Sequence, residues 1–95
     1  MADMLQPDAL QTALKDLKGW EGTVDAGITK TYKFADFAGS IAFVNRVARS
    51  AEDLNHHPDI AISWNTVDLA IISHSAGGVT QDCLALAQRI DAEAA

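Results

Sequence analysis

The sequence contains one cysteine, few basic residues and no long apolar run, and each shortage argues against a class of protein. The single Cys83 cannot close an intramolecular disulfide or build a thiolate-based zinc cage. No apolar run reaches the roughly 18 residues of a membrane span, and the first residues lack the basic region of a signal peptide. Seven Lys and Arg against 13 Asp and Glu leave a net charge of −6, which disfavours binding to nucleic acid. We therefore expect a small, acidic, soluble domain of the cytoplasm.

The apolar content is sufficient for a packed core. Hydrophobic residues make up 48 % of the 95 residues, so disorder caused by low hydropathy is not expected. The length corresponds to one domain, which we expect to span residues 1–95. A chain this short buries roughly 60–70 % of its unfolded surface, which leaves little room for a deep private cavity. A site for a small molecule is therefore expected in a surface cleft or between subunits.

The spacing of apolar residues changes between helical and strand-like periods along the chain. Pro7 suits the first turn of a helix, and Asp36 and Thr80 stand where N-caps are expected. The expected elements are a helix over 7–18, strands over 20–24 and 28–34, a helix over 37–54, two strands after Pro58 that join at Asn65-Thr66, and a helix from Thr80 to about 92. This order predicts an α+β fold, αββαββα, in which the helices pack on one face of a four-stranded antiparallel sheet.

Periodicity also predicts which side chains are buried. We expect Trp20 and Trp64 in the core, with a stacking wall for a flat ring as the alternative for each. We expect Cys83 to be an inert thiol on the apolar face of the last helix. The acidic end from Asp91 to Ala95 is expected to be frayed and solvated. The predicted apolar face of the long helix consists of Phe37, Ile41, Val44, Val47, Ala48 and Ala51.

The three histidines of the chain are the candidate catalytic groups. His56 and His57 stand at the exit of the long helix, and His74 ends the last predicted strand. A hairpin centred on the predicted turn would place residue 57 opposite residue 74, so all three imidazoles would meet at one end of the sheet. Glu52 lies one helical turn before His56, where its carboxylate could orient an imidazole or bind a substrate N–H.

Histidines in one cleft can supply an acid and a base to the same substrate, which is typically worth about 10²- to 10⁴-fold in rate. Two other interpretations stay open. A single histidine at the end of an element is usually a surface or capping residue. Three histidines could also hold a zinc ion with an open position. Against zinc, adjacent residues rarely ligate one metal well, and no Cys or carboxylate spacing here completes a known motif.

A set of short motifs extends from residue 19 to about residue 90. They are Gly19-Trp20, Phe34-Ala35-Asp36-Phe37, the block Glu52-Asp53-Leu54-Asn55-His56-His57-Pro58-Asp59-Ile60, then Trp64, Val67, Leu69, Ser73-His74 and Gly78-Val79-Thr80. Together these motifs resemble the pterin-4a-carbinolamine dehydratase family. The specific part is Glu-x-x-x-His-His-Pro followed by a strand-terminal histidine.

The resemblance implies the αββαββα fold and the dehydration of 4a-hydroxytetrahydrobiopterin to quinonoid dihydrobiopterin, which recycles the cofactor of aromatic amino acid hydroxylases. It implies no metal or organic cofactor, and a homodimer or homotetramer. The family's catalytic histidines correspond to His56, His57 and His74, and its supporting carboxylate to Glu52. Trp20 matches a tryptophan near the family's pterin site. We expect His56 and His74 to divide the acid and base tasks, and His57 to bind and orient the pterin.

One departure from the family pattern stands at the start of the last helix. Family members commonly carry an acid three positions after the capping Ser or Thr, and that position here is Cys83. Two alternatives to dehydration of a biopterin stay open. The family includes members that act as dimerisation partners of a transcription factor, so the chain could be an interaction module. In the second alternative, the chain belongs with related domains that serve molybdopterin or another pterin pathway, and the substrate would differ.

Overall fold

The computed structural model describes residues 3–94. Met1, Ala2 and Ala95, the last residue of the predicted frayed end, lie outside the described part of the chain. Three helices and four strands follow the predicted order, and the αββαββα class is confirmed. The elements are α1 Pro7–Leu14, β1 Glu21–Thr23, β2 Gly27–Lys33, α2 Phe37–Leu54, β3 Asp59–Ser63, β4 Thr66–Ile71 and α3 Gln81–Ala94. Within the described residues, no helix combines the length and the apolar character needed to cross a bilayer.

The sheet has the strand order β1-β2-β4-β3, and every neighbouring pair is antiparallel. Alternation along the two central strands places Ile28 and Tyr32 of β2 and Val67 and Leu69 of β4 on one buried face. The ring of Phe43, from α2, packs against Tyr32 with 4.8 Å between centroids. The helices therefore cover the face that carries these residues, as predicted.

The bounds of α2 agree with the prediction because both ends carry clear signals. The Asp36 carboxylate accepts a hydrogen bond from the backbone N–H of Gly39 at 2.7 Å, which caps the first turn. At the other end, Asn55 adopts the left-handed conformation with φ of 49°. Pro58 follows three residues later and disfavours further helix. The C-terminal end of α2 is thus fixed where the histidines begin.

The predicted apolar face of α2 is partly wrong. Phe37, Ile41 and Ala48 are exposed, and the buried side of the helix is Ser40, Phe43, Val47, Ser50 and Ala51. The helix therefore turns two serines toward the core. Small residues allow close packing against α3, and the Ser40 hydroxyl donates back to the Asp36 carbonyl at 3.5 Å. The apolar residues left outside form part of an exposed apolar surface.

The hairpin of β3 and β4 turns one residue earlier than predicted. Ser63 pairs with Thr66, so the connecting residues are Trp64 and Asn65. Trp64 has φ of 51°, an uncommon conformation for a bulky residue, and its side chain is 64 % exposed rather than buried in the core. The observed register places position 57 across from position 72 instead of 74. Because this changes the pairing by two residues, each strand keeps the same face toward the helices.

The first helix is shorter than predicted. It ends at Leu14 instead of continuing to 18, and turns lead from there to Gly19, which has φ of 88°. Leu17 is nevertheless buried, as the apolar spacing indicates. The strand β3 also differs from the usual alternation, since all its residues are exposed. It is an edge strand, and the helices leave both of its faces accessible.

Candidate active site

The three histidines line one open cleft at an end of the sheet, beyond the C-terminal end of α2. We call this the histidine cleft, and its lining residues are Asn55, His56, His57, Ile72, Ser73, His74 and Ser75. Two segments far apart in sequence form it, one between α2 and β3 and one after β4. The structure therefore brings His56, His57 and His74 together, although the register that suggested this was wrong by two residues.

The end of α2 sets the directions of the two adjacent histidines. Asn55 leaves the helix in the left-handed conformation, and the backbone N–H of His56 donates to the carbonyl of Ala51 at 3.0 Å. This closes the last turn of α2 and changes the direction of the chain. The His56 side chain is half-buried, whereas His57 is exposed. The two neighbouring imidazoles consequently have different partners.

His74 lies on a turn, whereas the sequence predicts it at the end of a strand. The strand β4 ends at Ile71, and residues 74–77 form the turn. Ser73 holds this turn at both ends, since its N–H donates to the Gly78 carbonyl at 3.0 Å and its carbonyl accepts from the Gly77 N–H at 2.8 Å. The Ser73 hydroxyl also accepts from the Ala76 N–H at 3.3 Å. The side chain of His74 is thus exposed, while the backbone of its turn is held by hydrogen bonds.

The carboxylate of Glu52 contacts His57 and not His56. Its Oε2 lies 2.5 Å from Nε2 of His57, and both side chains are largely solvent-accessible. The sequence places Glu52 one helical turn before His56, but the helix ends at Leu54, so helical spacing no longer applies to the histidines. Glu52 can therefore orient the imidazole of His57.

His56 makes its contact on the buried side of the cleft. Its Nε2 lies 3.2 Å from Sγ of Cys83, which is fully buried in the first turn of α3. Sequence reasoning treated Cys83 as an inert core thiol and missed this contact. The departure from the family pattern at this position was the available signal. The spacing of Cys83 from Thr80 was a second signal, because the third residue after an N-cap faces back toward the cap.

Trp20 does not reach the histidine cleft in the single chain. It is buried, and its Nε1 donates to Oδ1 of Asp91 at 3.1 Å. The same carboxylate oxygen accepts from Nζ of Lys30 at 2.9 Å and from the hydroxyl of Tyr32. We call Trp20, Lys30, Tyr32 and Asp91 the Asp91 cluster. The expectation of a solvated acidic end is therefore wrong at Asp91, which ties the last turns of α3 to the sheet.

The Asp91 cluster also affects the ionisation of its tyrosine. Burial raises the pKa of Tyr32 far above its ordinary value, and the hydrogen bond to the Asp91 carboxylate raises it further. Tyr32 therefore remains a neutral hydrogen-bond donor throughout the physiological pH range. This network stabilises the fold at a distance from the candidate chemistry.

The donor set of the cleft suits proton transfer better than metal binding. Among residues 3–94, no three His, Cys, Asp or Glu side chains are arranged to hold a metal ion. The imidazoles instead face one cleft that also carries the hydroxyls of Ser73 and Ser75. Such a cleft can offer donors and acceptors to the edge of a flat polar molecule.

Comparisons with known proteins agree with this geometry. The sequence model of the family described as pterin 4 alpha carbinolamine dehydratase matches residues 3–93. A protein of Thermosynechococcus vestitus, named as a candidate pterin-4-alpha-carbinolamine dehydratase, is 44 % identical over 90 residues, covering 95 % of this chain and 94 % of that protein. A protein of Herpetosiphon aurantiacus with the same name is 46 % identical over 88 residues, covering 93 % and 91 % of the two chains.

Two solved structures resemble the fold. A transcriptional coactivator/pterin dehydratase from Brucella melitensis superimposes with a TM-score of 0.92 at 34 % identity. The match covers 98 % of this chain and 100 % of that chain. A pterin dehydratase-like protein identified as a RuBisCO assembly factor in the alpha-carboxysome gives a TM-score of 0.65 at 25 % identity, covering 79 % and 86 %. From the match over nearly the whole sequence and the shared fold, the chain belongs to the pterin-4a-carbinolamine dehydratase family.

Proposed function

We propose that the protein is a hydro-lyase that dehydrates 4a-hydroxytetrahydrobiopterin to quinonoid dihydrobiopterin and water, and so recycles a tetrahydropterin cofactor in the cytoplasm. The observation that carries this proposal is the meeting of all three histidines in one open cleft of a chain that belongs to this family. The pterin is a flat ring with polar edges, which matches a shallow cleft lined by imidazoles and hydroxyls.

The chemistry requires two proton movements. The leaving 4a-hydroxyl takes up a proton so that its C–O bond breaks and water departs, and a ring N–H gives up a proton. His56 and His74 divide these tasks, while His57, held by Glu52, binds and orients the pterin. Acid–base catalysis by two such groups produces a bell-shaped dependence of kcat/KM on pH. The reaction needs no metal or organic cofactor.

The decisive experiment measures the dehydration of synthetic 4a-hydroxytetrahydrobiopterin by the purified protein in the presence of a chelator. We expect catalysis with a bell-shaped pH profile, and a loss of about 10²-fold or more in kcat/KM for His74→Ala. Gln88→Ala is the control, because Gln88 is exposed on α3 outside the cleft. Absence of catalysis by the wild-type protein would refute the proposed activity. Full activity in His74→Ala would refute the assignment of His74.

A second candidate function is that of an interaction module. Large apolar side chains remain exposed on α2, on β3 and at the hairpin tip, namely Phe37, Ile41, Ile60, Ile62 and Trp64. This surface supports the proposal that the chain forms a homodimer or homotetramer, and the negative net charge is more compatible with a protein partner than with DNA. Sedimentation tests the oligomer. A wild-type protein that shows no dehydratase activity but still self-associates would favour the interaction module.

The identity of the pterin is a separate question. A related domain could be tied to molybdopterin or another pterin, whose substituents differ while the reacting ring stays the same. Comparing kcat/KM for 4a-hydroxypterins with different side chains would discriminate between these substrates. A preference of more than about tenfold for one substituent would correspond to about 1.4 kcal/mol of differential binding in the transition state.

A further inference from the structure

The contact between Nε2 of His56 and Sγ of Cys83 decides which ring nitrogen of His56 carries a hydrogen toward the cleft. Around Sγ of Cys83 the structure places three polar atoms. They are Nε2 of His56 at 3.2 Å, the backbone N of Thr80 at 3.4 Å and Oγ1 of Thr80 at 3.6 Å. Both Cys83 and Thr80 are fully buried, so water cannot replace a missing partner for either side chain.

The hydrogens can be assigned by requiring that each buried donor has an acceptor. The Thr80 N–H donates to sulfur, and its hydroxyl has sulfur as the partner in reach. If the Thr80 hydroxyl also donates to sulfur, the S–H hydrogen of Cys83 is free to point at Nε2 of His56. In the reverse arrangement, His56 donates to sulfur and the S–H points at Thr80, which leaves the buried hydroxyl hydrogen without an acceptor.

We propose that Cys83 is a positioning residue that donates its S–H to Nε2 of His56 and thereby holds His56 as the neutral tautomer with its hydrogen on Nδ1. This deepens the proposed function and rests on it, because it assigns the donor task to His56 and the acceptor task to His74. The carboxylate of Glu52 contacts His57 and the thiol of Cys83 contacts His56, so the two adjacent histidines have different partners.

The proton balance of this assignment closes within the site. The Nδ1 proton of His56 passes to the leaving hydroxyl oxygen, the C4a–O bond breaks with its electron pair, and water departs. Nε2 takes up the thiol proton, and the thiolate that remains in the first turn of α3 accepts the hydrogen bond from the Thr80 N–H. His74 accepts the proton of the ring N–H. Solvent then takes this proton from His74, and His56 returns a solvent proton to Cys83.

The first test reads the tautomer without using any substrate. Ring ¹⁵N shifts of the three histidines, assigned by His→Gln variants, are measured by NMR in the wild-type protein, Cys83→Ser and Cys83→Ala. We expect the Nδ1–H tautomer for His56 in the wild-type protein and in Cys83→Ser, where a hydroxyl replaces the thiol as donor. A mixture of tautomers is expected in Cys83→Ala. A dominant Nε2–H tautomer in the wild-type protein, or no change in Cys83→Ala, would overturn the proposal.

The second test uses kinetics with a control matched for lost packing. Cys83→Ala should lower kcat about tenfold with little change in KM, and Cys83→Ser should recover part of the loss. The control, Ser40→Ala, also removes one buried heavy atom, but it lies about 20 Å along α2 from the histidines and should leave kcat unchanged. Equal losses in Cys83→Ser and Cys83→Ala would contradict the positioning role. An inactive wild-type protein would refute the proposed function alone, since the NMR result still decides the contact.

Discussion

The histidine cleft and the Asp91 cluster are both small groups of polar side chains, yet they satisfy their hydrogen bonds in opposite ways. In the Asp91 cluster, one carboxylate oxygen receives donors from Trp20, Lys30 and Tyr32, and these side chains are mostly withdrawn from water. In the histidine cleft, the imidazoles of His56 and His57 each have one hydrogen-bond partner among residues 3–94, and it contacts Nε2. Their second ring nitrogens therefore remain available for a ligand.

The difference separates a structural network from a reactive one. A carboxylate oxygen that accepts three hydrogen bonds has little capacity left to accept another, and removal of the carboxylate would leave buried donors unpaired. An imidazole that is hydrogen-bonded at one ring nitrogen is oriented, and its other nitrogen can still bind a ligand or exchange a proton. Substitutions in the Asp91 cluster should thus change stability, whereas substitutions in the cleft should change catalysis.

The largest effect on stability is expected for Asp91→Ala. Removing the carboxylate leaves the indole N–H of Trp20 and the hydroxyl of Tyr32 without their acceptor, which should lower the free energy of unfolding by about 2 kcal/mol. Glu93→Ala is the matched control on the same helix. The Glu93 side chain forms a long, partly exposed ion pair with Arg46 at 3.8 Å, so the loss of this side chain should cost less than about 1 kcal/mol. The Glu93 backbone carbonyl, which also accepts from Nε of Arg46, is kept in this variant.

Urea denaturation followed by tryptophan fluorescence measures both variants, and the dehydration assay measures them in parallel. Similar losses of stability in Asp91→Ala and Glu93→Ala would show that the three donors do not depend on Asp91. A loss of kcat in folded Asp91→Ala as large as that of His74→Ala would remove the distinction between the two regions.

A second prediction concerns alkaline pH. Tyr32 keeps its proton in the folded protein because its pKa is raised, whereas in the unfolded chain it ionises near its ordinary pKa of about 10. Above that pH the unfolded state binds fewer protons, so the free energy of unfolding should fall as pH rises. The loss should amount to about 1 kcal/mol between pH 9 and 11.

Tyr32→Phe isolates this contribution, because it keeps the ring that packs on Phe43 and removes the hydroxyl. Unfolding free energies of the two proteins are compared at each pH, and the wild-type excess should shrink as pH rises. Tyr32 is the only tyrosine of the chain, so its ionisation can also be followed directly by ultraviolet absorbance. An ordinary titration near pH 10 in the folded protein would contradict the environment assigned to the Asp91 cluster.

The smallest effect is expected for Glu52→Gln. Both members of the pair with His57 are largely exposed, so the interaction is worth at most about 1 kcal/mol, and kcat/KM should fall less than about fivefold. The loss should appear mainly in KM, because His57 is assigned to binding. Asp53→Asn is the control, since Asp53 is the neighbouring exposed acid and pairs with Arg89. A loss of about 10²-fold in kcat would instead place Glu52 in the proton transfer itself.

Local signals were sufficient for most of the fold. The capping residue Asp36 and the apolar alternation of β2 and β4 correctly predicted the start of α2 and the buried face of the sheet. The predicted turn of the β3–β4 hairpin was wrong by one residue. Asn65, a common turn residue, was expected to begin the turn, whereas Trp64 begins it with a positive φ. Propensity could not indicate that a tryptophan would adopt this conformation and lie in solvent.

The candidate site was predictable as a set of residues but not as a set of contacts. Histidine spacing and the Glu-x-x-x-His-His-Pro block indicated the three histidines that line the histidine cleft. Placing Glu52 one helical turn before His56 required the helix to continue, and the helix ends before either histidine. Trp20 was placed near the pterin by resemblance, whereas in the single chain it faces Asp91.

By itself, the sequence determined the order of the elements, the bounds of α2 and the family to which the chain belongs, because these depend on caps, periodicity and short motifs within a few residues of one another. Only the tertiary structure decided which group contacts each histidine and what happens to the acids near the C-terminal end. His56 and Cys83 are 27 positions apart and Trp20 and Asp91 are 71 apart. Such pairs meet only when helices pack on the sheet, and packing depends on the shape of the whole core.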